Sequence, residues 1–221
     1  MLVDKLDVLR AARLVLASGS PRRKEILNDI LGLDVRVVPS TFAEDLDKST
    51  FTPEGYVQEN ARIKAREVWK QLCGDADAPD LVIGGDTVVS LEDSILEKPR
   101  DREHALAMLG SLSGSTHKVF SGVAVVYREP GAAADAEPQQ LVFAEETSVT
   151  FATLSAATIE AYVDSGEPMD KAGGYGIQAA GGQFVSGISG CFYNVMGFPM
   201  HRFATELGQL LEGGKVALTG S

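Results

Sequence analysis

Residues Leu14 to Leu27 read LVLASGSPRRKEIL. The first four, Leu14-Val15-Leu16-Ala17, are an unbroken apolar run of the kind that a parallel or mixed sheet buries on both faces. Ser18-Gly19-Ser20 turns the chain. Pro21 stands where a first helical residue is tolerated, with Ser20 as its N-cap. Arg22, Arg23 and Lys24 then crowd the first helical turn. Cations there face the positive end of the helix dipole, at a cost of roughly a few tenths of a kcal/mol or more each. A bound anion reverses that penalty, because free N–H groups, dipole and guanidinium groups would all point at it. Local physics leaves two readings, a phosphate-binding strand–loop–helix and a solvated basic turn, and favours the first.

The whole chain sharpens that choice. Its 221 residues, 44% hydrophobic and 23% charged, suit one large α/β domain or two small ones. With a formal net charge of -11 and a pI near 4.7, it is a poor general binder of nucleic acid. Basic residues that cluster in so acidic a chain are therefore not a by-product of composition. Cys73 and Cys191 make neither a disulfide framework nor a metal-binding spacing, so a reducing, cytoplasmic setting is expected. MLVDKLDVLRAAR at the start is too mixed for a signal peptide, and no apolar run approaches membrane-spanning length. These first residues read as a weakly amphipathic cap or a frayed terminus.

Downstream, Val35 to Val38 reads as a short strand ended by Pro39, followed by an acidic segment, Phe42 to Ser49, with Glu44, Asp45 and Asp47. A helix is expected from Pro53 to Leu72, capped by Thr52, with Val57, Ala61, Ala65, Val68 and Leu72 on one inward face. Lys64, at the edge of that face, reads as a snorkelling surface lysine. Leu81-Val82-Ile83 is a second buried strand, after which Gly84-Gly85 allows close backbone approach. Asp86 and Thr87 then interrupt an apolar run that resumes at Val88. An acid so placed is expensive unless paired, hydrogen-bonded or bound to metal, which marks Asp86 as functional.

Glu92-Asp93-Ser94 reads as a turn, Ile95 to Glu97 as a returning strand, and Asp101 as the cap of a helix through Leu109. Strands are expected over 115–127 and 141–151, around an Ala-, Pro- and acid-rich hairpin loop at 129–140. Ser155 caps a helix that Gly166 ends. From Pro168 the composition shifts to MDKAGGYGIQAAGGQFVSGISG, a backbone suited to wrapping something. A last helix is expected from Pro199 to about Leu211, then a frayed tail at 212–221. The expected unit is a single domain over 13–211, with 1–12 and 212–221 as extensions.

Several groupings suit phosphate chemistry. Arg22, Arg23, Lys64 and Lys98 lie at loops and element ends and can neutralise a polyphosphate. Glu44 and Asp86 can hold a hard divalent cation, and a carboxylate beside it can orient or deprotonate water. Phosphoryl transfer asks for positioning and charge stabilisation, which this set can supply. No GxxxxGK[ST] and no GxGxxG is present. His104, His117 and His201 are scattered, which argues against zinc. Ser18 and Ser20 lack a Ser/His/Asp context and read as phosphate-binding or capping hydroxyls.

LASGSPRRKEIL, GGDTVV, LEKPRD, DKAGGYGIQ and YNVMGFP, in that order and spacing, resemble the Maf family of nucleotide pyrophosphatases over Arg13 to Leu211. The resemblance implies an elongated, inosine-triphosphatase-like α/β fold: a mixed sheet flanked by helices, with two lobes around a cleft. It implies hydrolysis of nucleoside triphosphates to monophosphate and pyrophosphate with Mg²⁺ or Mn²⁺, in a homodimer. Asp86 matches the proton acceptor. Ser18, Arg22, Arg23, Lys64 and Lys98 match phosphate-binding positions, and Glu44, ahead of Asp45, matches an acid near the metal. Arg22, Thr87 and Gln178 match the specificity positions of the subgroup acting on dTTP and UTP, against a sister subgroup acting on 7-methyl-GTP. Departures are Gly85 for the usual Ala, Ala179 for Gly, and Cys191 where a small or polar residue is usual. The likeness is closest to the eukaryotic form that is joined to a methyltransferase-like domain. A reading from another class is a nucleotide-binding regulator of cell division, which would need the basic residues but no intact acid and metal site.

Overall fold

In the computed structural model, which describes residues 1–92, 94–133 and 136–219, the opening apolar run forms strand β1 (Leu14–Leu16). Two parallel strands flank it, β2 (Val35–Val37) and β3 (Leu81–Leu91), with Leu14 opposite Val35 on one side and Leu81 on the other. The chain reaches β2 through α2 (Pro21–Glu25) and reaches β3 through α3 (Pro53–Leu72). Crossovers to opposite neighbours make the end of β1 a topological switch point, where open α/β sheets take ligands. β3 then pairs antiparallel with β5 (Thr116–Tyr127), β5 with β6 (Gln139–Phe151), and β6 with β7 (Val185–Ser189). The short β4 (Ser94–Leu96) folds back on β3. Among the described residues this is one open, mixed, seven-stranded sheet in the order β2-β1-β3-β5-β6-β7.

α3 forms as its sequence predicts: Thr52 Oγ1 accepts from the Gly55 N–H at 3.1 Å, and Pro53 opens a helix of 20 residues. It lies on one sheet face, where Ala61, Ala65 and Val68 pack on Val15, Val82 and Ala124. The helix comes close because Gly84 has no side chain; a Cβ there would meet the Ala61 carbonyl oxygen at 2.2 Å. The other face carries the larger core, including Leu16, Ile83, Val123, Phe151, Phe198 and Phe203. α4 (Arg102–Leu112), α5 (Ala156–Asp164) and α6 (Met200–Glu212) pack against it. Asp101 and Ser155 cap α4 and α5 by accepting the His104 and Thr158 N–H groups. None of the described helices is long and apolar enough to cross a membrane.

Several expectations change or are narrowed. The strand expected over Leu81-Val82-Ile83 runs on through Asp86 and Thr87 to Leu91, with β5 paired along one edge from Leu81↔Tyr127 to Ser90↔Lys118. The α-helical part of α2 has only five residues before a π turn (Ile26–Ile30), and Ser20 makes no side-chain cap, so the helix dipole contributes little there. Lys64 is buried rather than snorkelling. Of the two readings of the N-terminus the packed cap holds and the frayed end does not: α1 (Leu6–Ala11) follows a packed Leu2, and Leu9 is fully enclosed. In the tail, Val216 and Leu218 pack on the core, and the Ala217 N–H donates to the Arg128 carbonyl at 2.9 Å. β7 emerges from the glycine-rich segment, whose glycines mask its alternation. Asp93 of the expected turn, residues 134 and 135 of the hairpin loop and the last two residues of the tail lie outside the described residues.

Candidate active site

β3 runs on past the end of β1. Their last contact is the Ala17 N–H to the Ile83 carbonyl, 2.8 Å, so Gly84 to Val88 lie beyond β1 while β5 holds their other edge. A cleft of about 610 Å³ opens there. Successive side chains of a strand point to opposite faces. Asp86 therefore faces α3, and Gly85 and Thr87 face α2 and the turn at Gly197.

Asp86 is 6% exposed and accepts from Lys64 Nζ at 3.0 Å through Oδ1 and from Asn60 Nδ2 at 2.9 Å through Oδ2. Asn60 and Lys64 are one helical turn apart on α3, so one helix face supplies both donors. Lys64 Nζ also lies 3.0 Å from Glu44 Oε2. Glu44 is held at φ 55°, left-handed backbone that a glutamate adopts only when its surroundings fix it. Burial pushes the Asp86 carboxyl above the ordinary carboxylate range, with Glu44 adding to that and Lys64 and Arg23 offsetting part of it. At Glu44 partial burial is outweighed by Lys64, Lys98 and Arg23, which hold its carboxyl low.

Arg23 crosses from α2 over Gly85. Its Nη1 donates to Ser18 Oγ at 2.9 Å, its Nη2 to Thr87 Oγ1 at 3.0 Å and its Nε to the Gly197 carbonyl at 3.0 Å. All three acceptors are neutral. Among the described residues no carboxylate lies within 4.0 Å of this 9%-exposed guanidinium, and burial works against its charge. Lys98 is exposed at the rim and likewise has no ion-pair partner among the described residues. Arg22 is different: Nη1 donates to Asp170 Oδ2 at 2.8 Å and Nη2 to the Asp170 carbonyl at 3.0 Å.

Ser18, Arg22, Arg23, Glu44, Lys64, Asp86, Thr87, Lys98 and Gln178, the residues that the resemblance assigns to the site, all line this cleft, and Asp45 does not. Thr87 is engaged with Arg23 and Ser121 rather than pointing free. The lining carries five cations and four acids in a chain whose net charge is -11, so positive charge is concentrated here. Sequence reading missed Asn60, Glu97, Asp170 and Lys171. Asn60 is fully buried, and its Oδ1 has no hydrogen-bond partner. Its helical spacing from Lys64 was the available signal. Asp170-Lys171 is an adjacent acid–base pair in the sequence, but its partner across the cleft, Arg22, is not encoded locally.

The donors present fit a divalent cation shared with a ligand. Glu44 and Asp86 converge on one point, now bridged by Lys64, and two carboxylates are what Mg²⁺ uses when phosphate oxygens complete its shell. Among the described residues no cluster of three or more His, Cys, Asp or Glu could hold a metal unaided.

Residues 13–210 match the sequence profile of the Maf-like protein family. A human protein named probable bifunctional dTTP/UTP pyrophosphatase/methyltransferase is 52% identical over 205 residues, covering 90% of this chain. The chain spans 32% of that protein's length. A dTTP/UTP pyrophosphatase of Clostridium perfringens is 44% identical over 195 residues, 88% of this chain and 95% of its own. One of Thermococcus onnurineus is 46% identical over 187 residues, 85% and 92% of the two chains.

Proposed function

The chain belongs to the Maf-like family, and from that premise we propose that it is a nucleoside triphosphate pyrophosphatase acting on dTTP, UTP and related pyrimidine nucleotides. The relatives named dTTP/UTP pyrophosphatase support the activity. The observation that carries it to this chain's own residues is the pairing, in one cleft, of a buried acid on a lysine with a buried arginine that has no carboxylate partner. A buried cation without a counter-ion is costly alone and is compensated by an anionic ligand.

Water attacks the α-phosphorus, the bond from that phosphorus to the bridging oxygen breaks, and pyrophosphate leaves with the bond's electron pair. Asp86 accepts the proton of the attacking water; its elevated basicity suits that role, and Lys64 and Asn60 fix both its oxygens. Arg23 and Lys98 meet charge that grows on the leaving phosphates, with Ser18 holding the Arg23 fork. A divalent cation, Mg²⁺ or Mn²⁺, held by Glu44 and Asp86, would supply further neutralisation of the phosphates and polarise water. Arg22, Thr87 and Gln178 support the pyrimidine reading over the 7-methyl-GTP one. The same reading takes the protein as a cytoplasmic homodimer with neither nucleic acid nor membrane as partner.

The test is pyrophosphate release from a panel of nucleoside triphosphates with Mg²⁺, Mn²⁺ or EDTA. Pyrophosphate with UMP or dTMP is expected, abolished by EDTA. Orthophosphate as product would refute the cleavage position, and binding without turnover would favour the regulator.

A further inference from the structure

Arg22 and the turn that carries Gln178, far apart in the chain, are linked by a run of hydrogen bonds through Asp170, Lys171 and Glu167. The Arg22 guanidinium grips Asp170 twice, through the carboxylate at 2.8 Å and the main-chain carbonyl at 3.0 Å. The other Asp170 oxygen accepts from Lys171 Nζ at 2.6 Å, and that ammonium also donates to the Glu167 carbonyl at 2.6 Å. The Glu167 carboxylate accepts from Tyr162 Oη at 2.9 Å and from the Ala180 and Gly181 N–H groups at 3.3 Å each. Those two amides follow directly on the turn that carries Gln178, which the Ala179 N–H closes on the Gly176 carbonyl at 3.2 Å, with Gln178 itself exposed at the cleft.

This arrangement separates Arg22 from its neighbour. Arg23 meets only neutral acceptors, so its charge is open to a phosphate. Arg22 already faces a carboxylate, with its side chain only 18% exposed. A guanidinium so matched adds little to phosphate neutralisation, yet it remains a rigid fork with further N–H groups in a fixed plane. Such a fork suits a neutral acceptor, and thymine and uracil present carbonyl oxygens at their base edges.

We propose that Asp170 is a positioning residue for nucleobase selection: it holds Arg22 off the phosphates and, through Lys171 and Glu167, in a fixed relation to Gln178, so that the two read the carbonyl edge of a pyrimidine. This rests on the pyrophosphatase activity proposed above. Loosening the contact should blur the choice of base before it harms the chemistry.

The experiment compares wild type, Asp170→Asn, Arg22→Ala and the double variant, with kcat and KM measured separately for dTTP, UTP, CTP and GTP in Mg²⁺. Asp170→Asn is expected to raise KM for dTTP and UTP about tenfold, with the loss falling on KM rather than kcat. The dTTP-over-GTP ratio of kcat/KM should narrow by about the same factor, and the double variant should discriminate no worse than Arg22→Ala alone. A ratio within about twofold of wild type, or equal losses on all four nucleotides, overturns the proposal. If Asp170→Asn loses its cooperative melt, Arg22→Lys replaces it. Lysine cannot make the two-pronged contact and leaves the 167–171 backbone alone, so it should lose the same discrimination; retained discrimination overturns the proposal. A wild type silent on all four nucleotides overturns the activity itself, whereas an active wild type with an equally selective Asp170→Asn overturns only this step.

Discussion

Lys64 Nζ stands 3.0 Å from Asp86 Oδ1, and both side chains are more than nine-tenths buried. An ion pair so placed is a weak source of stability while intact and a large liability once one partner is lost. The two partners should therefore fail differently. Asp86→Asn keeps a neutral acceptor for Lys64 and the same volume, so the fold and nucleotide binding should survive. kcat should fall by roughly 10²–10⁴, the range for loss of a general base. Steady-state kinetics with an equilibrium binding measurement would show it, and normal turnover by this variant would refute the assignment of Asp86.

Lys64→Met is expected to act on folding as well. It strips two acids of their shared cation and leaves the Asp86 carboxylate buried beside Glu44. The expected loss is about 3 kcal/mol, read by urea denaturation at neutral pH. A Lys64→Met protein as stable as wild type would mean that water reaches Asp86 freely and the pair is not a buried one.

The Arg23 guanidinium leads to a ligand-linked prediction. Pyrophosphate, the expected product, should raise Tm, since a ligand at a hundredfold its Kd adds about 2.7 kcal/mol. In Arg23→Gln most of that rise should vanish, while Arg22→Ala should keep more of it, because Arg22 is already matched by Asp170. Thermal melts with and without pyrophosphate decide it. Equal rises in the two variants would remove the distinction between the arginines.

What the sequence shows of this site follows from what is local. Thr52, Asp101 and Ser155 cap their helices through N–H groups three residues on, and such signals can be read without the fold. The buried run around Asp86 was legible for the same reason: an acid in an apolar stretch needs a partner. The partner was not legible. Lys64 reaches Asp86 only because Gly84 lets α3 settle on the sheet, and Asp170 reaches Arg22 across 148 positions of chain. β7 escaped notice because Gly187 and its neighbours dilute the alternation, and its pairing with β6 is set by the partner strand.

The close approach at Gly84 has its own test. A methyl group there would lie 2.2 Å from the Ala61 carbonyl oxygen and 2.9 Å from Ala65 Cβ, so helix or strand must move. Overpacking of this kind costs about 1–3 kcal/mol, and here it also lifts Asn60 and Lys64 from Asp86. Gly84→Ala should lose both stability and kcat. Gly110→Ala, where a Cβ meets nothing within 4 Å, should lose neither and serves as the control. A Gly84→Ala enzyme with full kcat would show that α3 does not set the position of the acid.

Burial of His117 gives folding a pH dependence below neutrality. It is 1% exposed on β5, with Nε2 2.8 Å from Tyr175 Oη and its ring edge-on to Phe151 at 4.9 Å. Burial lowers its pKa to about 4, from an ordinary value of 6.5. The folded protein thus holds a neutral imidazole over a range in which the unfolded chain takes up a proton. Stability from this residue is complete above pH 6.5 and is lost as pH falls towards 4, by at most about 3 kcal/mol. His117→Gln keeps a group able to bond Tyr175 but has no proton to take up, so its stability should be flatter over the same window. Urea denaturation of both proteins at pH 7.5, 6 and 5 makes the comparison. Wild type should lose ground to the variant with each step down, and curves that stay parallel would show that His117 is not the titrating group.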